Sequence, residues 1–304
     1  MKRKWLEIIK APLIAFARYS KIPMPQVVWS EEAFGASVVF FPWVGAVIGT
    51  VFWIICQLFL GNPIPSTVAA LVLAVVPLML TGGFHLDGYM DTADARGSYQ
   101  SREKKLEILK DPRVGAFAVI GVLRQAGLYL ASLIVLYGNA SEGLPNEPQS
   151  FMLMTAGSFF VVRCLSALAV LTVRPARSEG MLYEEAKSAD PNKKVFATVI
   201  LLELFVGLIV LCMGSVFLYE GILLDKMSFA LFCRNGLSGQ PFGRLLCEAA
   251  PVGLLAVVCG STYFWFVRMC RREFGGITGD LAGYFVVVCE VNAAVVMAIG
   301  ELIA

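Results

Sequence analysis

Asp87, Asp91 and Asp94 stand at i, i+4 and i+7 within Gly82-Gly83-Phe84-His85-Leu86-Asp87-Gly88-Tyr89-Met90-Asp91-Thr92-Ala93-Asp94, a run that also holds the only histidine of the chain, His85. Continued as a helix, this spacing puts the three carboxylates within about 60° of one another, because each residue turns the helix by roughly 100°. Carboxylates that close repel unless a cation lies among them. Mg2+ suits such a stripe, since it takes one or two carboxylates and keeps waters or substrate phosphates in its other positions. His85 adds a nitrogen able to move a proton near neutrality, and Gly82, Gly83 and Gly88 permit positive φ or close backbone approach. A second stretch, Gly275-Gly276-Ile277-Thr278-Gly279-Asp280, repeats the spacing of two glycines followed by an aspartate. Facing turns of this kind would complete a metal and phosphate site between non-adjacent helices, irregular backbone being tolerated where it lines a cavity.

The elements that must position these groups are membrane spans. Of the 304 residues 58% are hydrophobic and 16% charged, and the mean hydropathy is +0.72. That is too apolar for soluble domains. Apolar runs predict seven spans at about 34–60, 64–81, 114–137, 151–173, 195–219, 249–266 and 281–303, each near the roughly 20 residues a bilayer core needs. The chain reads as one all-α, polytopic membrane domain over 1–304, with 82–113 as its catalytic loop. Residues 1–33 mix Lys2, Arg3, Lys4, Lys10, Arg18 and Lys21 with apolar side chains, which predicts an amphipathic helix lying on the membrane surface. No signal-peptide cleavage pattern follows it, so it is expected to stay on the protein.

Loop charge sets the orientation. Loops 82–113, 174–194 and 267–280 hold six, five and three Lys or Arg, whereas 61–63, 138–150 and 220–248 hold none, none and three. Basic loops stay in the cytoplasm, so the N-terminus and both acidic motifs are expected on that side. Within 82–113, Ser101 is placed to cap a short helix through Arg102–Lys110 that Asp111-Pro112 ends. Arginines here and in 174–194 suit an anionic, phosphate-bearing substrate. Arg124, Arg163, Glu203 and Glu290 fall inside predicted spans at a similar depth, about 12–15 Å at 1.5 Å per residue. Two charges of each sign at one level predict pairing, as a register pin or as the floor of a cavity. The eight cysteines show no metal-ligand spacing, and Cys233 and Cys247 are the one candidate disulfide. Phosphate-binding loops, nucleophile elbows and dinucleotide fingerprints are absent, and no nucleic acid is expected as a partner.

The run from Gly82 to Asp94, followed by Arg102-Glu103-Lys104-Lys105-Leu106-Glu107-Ile108-Leu109-Lys110-Asp111 and Gly115-Ala116-Phe117, resembles the cobalamin synthase family, the adenosylcobinamide-GDP ribazoletransferases. Gly275–Asp280 with Glu290 is similar to that family's C-terminal signature, and the order of spans is similar over most of the chain. Tyr89-Met90, Ala95-Arg96 and Leu281-Ala282-Gly283-Tyr284 depart from the pattern without removing a carboxylate. The resemblance implies a multi-pass enzyme of a bacterial or archaeal cytoplasmic membrane, acting late in vitamin B12 assembly. It would join adenosylcobinamide-GDP to α-ribazole or its 5′-phosphate, release GMP and require Mg2+. On that reading Asp87, Asp91 and Asp280 hold the metal, Asp94 or His85 takes the hydroxyl proton, and Arg96, Arg102, Arg113 and Arg177 clamp the diphosphate, with Glu290 beside the substrate. The implied surroundings are the lipid bilayer, with a homo-oligomer or contact with other corrinoid-pathway enzymes left open. Two other classes fit the residues: a membrane CDP-alcohol or prenyl diphosphate transferase, and a corrinoid or cation transporter lined by the four buried charges.

Overall fold

The computed structural model describes residues 9–142, 149–219 and 242–303. Among them are twelve α-helices and no strands: α1 (Ala11–Tyr19), α2 (Glu31–Ala36), α3 (Phe41–Leu60), α4 (Ser66–Thr81), α5 (Phe84–Gly97), α6 (Arg102–Ile108), α7 (Ala116–Glu142), α8 (Ser150–Thr172), α9 (Met181–Ala189), α10 (Lys193–Tyr219), α11 (Phe242–Met269) and α12 (Gly279–Ile303). Short 3-10 turns join α2 to α3 and α9 to α10, and a π-turn at Cys270–Phe274 ends α11. Among the described residues six helical stretches are long and apolar enough to cross a membrane, or seven if α4 and α5 count as one bent span. The protein is an all-helical, polytopic membrane protein: six of the seven apolar runs of the sequence fall in these stretches, and the run 64–81 falls on α4, which is too short to qualify without α5.

The most enclosed span is α8, which packs against α3, α7, α10, α11 and α12. Its contact with α3 depends on Gly45 and Gly49, where an added Cβ would lie 2.2 Å from the Phe159 carbonyl oxygen and 2.3 Å from that of Ala156. Small residues four apart let two helix backbones approach this closely where lipid supplies no hydrophobic drive. Arg163 of α8 is 1% exposed and pairs with Glu290 of α12 at 2.7 Å. The expected second pair does not form. Glu203 instead accepts from the Trp43 indole N–H at 3.0 Å, and Arg124 reaches the Tyr89 hydroxyl at 3.4 Å.

The N-terminal segment is helical only in part. Within its described part, α1 buries Ala11, Ile14 and Ala15 completely against the protein, and the chain runs without helix from Lys21 to Ser30. Pro23 and Pro25 withhold backbone donors and bias their predecessors away from helix. Arg18 makes two hydrogen bonds to Glu185, at 2.7 and 3.1 Å, fastening α1 to α9. Cys233 lies outside the described residues, and with it the pairing with Cys247.

Candidate active site

The polar helix α5 exists as a separate element because Gly82 and Gly83 both take positive φ, +69° and +77°. These two consecutive left-handed residues end α4 and turn the chain by 94° into α5, a conformation strained for any residue with a Cβ. As the spacing requires, Asp87, Asp91 and Asp94 all lie on α5.

The second motif arrives from the far end of the sequence. Gly275 takes φ +73° after the π-turn, and Ile277 joins the connection that follows α8 through two backbone bonds, Ile277 N–H to the Arg174 carbonyl (2.9 Å) and Ala176 N–H to the Ile277 carbonyl (2.8 Å). Thr278 then accepts from the Leu281 N–H at 3.3 Å and donates to Asp280 at 3.4 Å, shaping the first turn of α12. The two motifs meet where α5 crosses α12. A Cβ at Gly88 would lie 2.9 Å from the Cα and carbonyl oxygen of Asp280, and one at Gly283 would lie 2.9 Å from the carbonyl oxygen of His85. Glycine on both sides brings Asp280 into the field of the α5 stripe. Burial, then the charges of Asp280, Asp87 and Asp94, push the half-buried Asp91 carboxyl up to about 6. Among the described residues no three His, Cys, Asp or Glu side chains converge as a ready-made metal cage.

The remaining sequence candidates divide. Both Asp94 oxygens are occupied: the backbone N–H of Gly115 donates at 2.6 Å and that of Ala118 at 2.8 Å, so Asp94 caps the start of α7. His85 is two residues from Asp87, hence about 200° around the helix. Its ring lies against Phe41 and Phe84, 6% exposed, and lines a cavity inside the bundle with Arg163 and Glu290. Arg96 is held by Glu273 through two bonds (3.1 and 3.2 Å) and by the Tyr284 hydroxyl (2.7 Å), under the rings of Trp265 and Tyr284. Arg113 is exposed and bonded to Asp111, whose carboxyl it holds down to about 2.

Two arginines remain at the motifs. Arg177 donates to the Leu106 carbonyl at 2.6 Å, and with Asp280 it lines an adjoining cavity of about 210 Å³ that Pro175 and Glu179–Tyr183 also line. Arg102 lies directly over Gly275, where any Cβ would overlap its guanidinium, and it makes no hydrogen bond or ion pair to another described residue. The expected cap at Ser101 is present, accepting from Lys104 N–H at 3.4 Å, although α6 stops at Ile108, two residues early. Lys105 bridges to Glu273 at 2.9 Å and Lys110 pairs with Glu179, so the three basic connections meet at one end of the bundle.

Glu273, Tyr89 and Tyr284 went unnoticed as site-building residues in the sequence. The two tyrosine rings stack at 5.1 Å with 4° between their planes. The signal available was their position: Tyr89, Arg96 and Tyr284 are all departures from the motif pattern, and here they form one contact.

The chain matches the family described as cobalamin-5-phosphate synthase over residues 11–298. It is 33% identical over 298 residues to the adenosylcobinamide-GDP ribazoletransferase of Lachnoclostridium phytofermentans, covering 98% of this chain and 95% of that one. The protein of the same name from Fusobacterium nucleatum is 31% identical over 282 residues, covering 90% and 92%, and that from Desulfitobacterium hafniense is 31% identical over 283 residues, covering 93% and 91%. No solved structure matches the chain. With two acidic motifs joined across α5 and α12 and a match spanning nearly every residue, this chain belongs to the cobalamin-5-phosphate synthase family.

Proposed function

We propose that the protein is a Mg2+-dependent adenosylcobinamide-GDP ribazoletransferase of a bacterial or archaeal cytoplasmic membrane, with its active site at the cytoplasmic end of the bundle. It would join adenosylcobinamide-GDP to α-ribazole or its 5′-phosphate and release GMP. The observation that carries the reading is the crossing of Gly88 with Asp280, which gathers acids from both motifs around Asp91.

The donor set fits a Mg2+ ion shared with a substrate. A raised Asp91 is what clustered carboxylates show without a cation. Mg2+ takes one or two carboxylates directly and completes its shell with phosphate and water. Asp87, Asp91 and Asp280 would hold it, one or two of them directly and the rest through water, and when bound it supplies neutralisation of diphosphate charge.

The chain's own residues do the rest. Arg102, which lies over Gly275 and makes no hydrogen bond to another described residue, and Arg177, beside Asp280, would grip phosphate oxygens. Arg96, held by Glu273 and Tyr284, braces α5 against α12 and the π-turn. Asp94 sets the position of α5 against α7 by capping. A ribose hydroxyl would attack the cobinamide-linked phosphorus with GMP leaving from the opposite side, and whichever of Asp87, Asp91 and Asp280 does not touch the ion directly would take the proton. Holding the two partners in line supplies much of the rate.

The test is GMP release by the detergent-solubilised protein with both substrates, with and without Mg2+, beside Asp91→Ala. The expected result is GMP together with a completed corrinoid in the wild type with Mg2+, and a fall of about a hundredfold or more on loss of either Mg2+ or Asp91. Well-folded wild-type protein that binds corrinoid but never releases GMP would overturn the reading.

A further inference from the structure

Of the four charges set within spans, Arg163 and Glu290 neutralise each other. Arg124 and Glu203 have no such outlet. Arg124 is exposed on the outer face of α7, and its one hydrogen bond to a described residue is the long one to the Tyr89 hydroxyl, 3.4 Å. A guanidinium carries five donors. Glu203 presents its Oε1 at the surface of α10, where it accepts from the Trp43 indole N–H, while Oε2 is buried without a partner. Charges in hydrocarbon normally pair or line a polar cavity. Within one chain these two do not meet: α7 packs on α4, α5 and α12, whereas α10 packs on α8 and α11, so the groups leave the bundle on different faces.

We propose that Arg124 of one chain pairs with Glu203 of a second copy, so that the protein assembles side by side in the membrane through a head-to-tail contact. Their depths agree. Arg124 follows the start of α7 at Ala116 by eight residues, and Glu203 follows the start of α10 at Lys193 by ten. That is about 12 and 15 Å at 1.5 Å per residue, counted from the same end of the bundle. Copies inserted in one orientation therefore hold the two charges at one level. Because the contact uses a different face on each copy, it repeats into a ring or a row.

Both faces are shaped for a helix. On α7 the outward stripe of Ile120, Arg124, Gly127, Ala131 and Ile134 keeps the roughly 3.5-residue spacing of a helix seam and is exposed along its length. A Cβ at Gly127 would meet nothing within 4 Å, and small residues four apart, here Gly127 and Ala131, let a neighbouring backbone come close. On the other face, α3 and α10 both pack on α8 and leave between them an apolar groove of about 600 Å³, with Trp43 and Ala46 on one wall, Val206 and Val210 on the other and Gly157 below. Glu203 is the one ionisable side chain lining it. A lipid chain fills the apolar length of such a groove but brings the carboxylate no counter-charge. A guanidinium carried in on α7 brings both.

The test is disulfide trapping in the membranes of cells that co-express two differently tagged full-length copies, each freed of native cysteines. One copy carries Gly127→Cys or Ala131→Cys on α7, the other Val206→Cys or Val210→Cys on α10, and copper–phenanthroline is the oxidant. The expected result is a product bearing both tags in at least one of these pairs, about fivefold or more above that of the same α7 cysteine with Val257→Cys, an exposed position on α11 that measures chance collision. Arg124→Glu in the first copy alone, or Glu203→Arg in the second alone, should cut the product by about fivefold or more, since like charges then face each other. Both reversals together should restore it, which also shows that the reversed chains fold. A yield at the collision level in every pair would overturn the assembly, and so would a yield indifferent to the reversals. Preferred trapping between two α7 cysteines would overturn it too, because that contact would join like faces.

Discussion

Asp91 is the residue at which the chemistry of the site can be read without substrate. Its carboxyl is pushed up to about 6 by burial and by Asp280, Asp87 and Asp94, so the folded protein holds a proton there that an unfolded chain, at about 3.9, does not. The sign follows: this group makes the metal-free fold gain stability as pH falls from above 6 towards 4, and the repulsion persists above 6. Thermal unfolding of metal-free protein should therefore show a higher Tm at pH 5 than at pH 7 from this group, with Asp91→Asn flattening the difference. Added Mg2+ should raise Tm at pH 7 and do little at pH 5, because proton and metal compete for the same oxygens. A Tm equally insensitive to pH and Mg2+ in wild type and variant would rule out the carboxylate cluster. The stripe itself was legible from spacing, since i, i+4, i+7 is a helix face. The opposed placement of His85 was legible too, because two residues are about 200°. That Asp94 would cap α7 was not, since its partners, the N–H groups of Gly115 and Ala118, lie across a turn of unpredictable path.

At the scale of elements, the two motifs meet only because α5 and α12 carry glycine where they cross. In Gly88→Ala the methyl group would sit 2.9 Å from backbone atoms of Asp280, and a helix backbone cannot step aside as a side chain can. The expected outcome is a loss of roughly 1–3 kcal/mol of stability and a fall of about a hundredfold in GMP release, since small misplacements of reacting groups are costly. A matched measurement of Tm and rate checks it, and a variant with wild-type rate would show that the crossing does not position the site. The helices themselves followed from apolar run length, while the bend between α4 and α5 followed only as a permission of Gly82 and Gly83. The charges within spans show the limit of such reading. Depth alone predicted two pairs, but rotation around each helix decided that Arg163 meets Glu290 while Glu203 meets Trp43. The same holds for Tyr89, Arg96 and Tyr284, whose mutual contact spans two helices distant in sequence.

For the molecule as a whole, the basic connections 82–113, 174–194 and 267–280 gather at one end through Lys105–Glu273, Lys110–Glu179 and the Arg174–Ile277 backbone bond. Under the positive-inside rule their charge is expected to place that end in the cytoplasm, as proposed above. Single cysteines placed at Ser101 and Ser178 in a background without native cysteines should react with a membrane-impermeant maleimide in inverted vesicles and not in intact cells. Labelling in intact cells would reverse the orientation.

The crossing of Gly88 with Asp280 also bears on how the protein is made. Helices leave the ribosome in sequence order, so α5 and its three aspartates are made long before α12 is synthesised. Until Asp280 arrives, the nascent chain carries half of an acidic cluster, with no opposing turn to close it. On the proposed reading, competence for the transfer is thus deferred until α12 is made, and a ribosome stalled before α12 leaves behind a fragment that lacks Asp280.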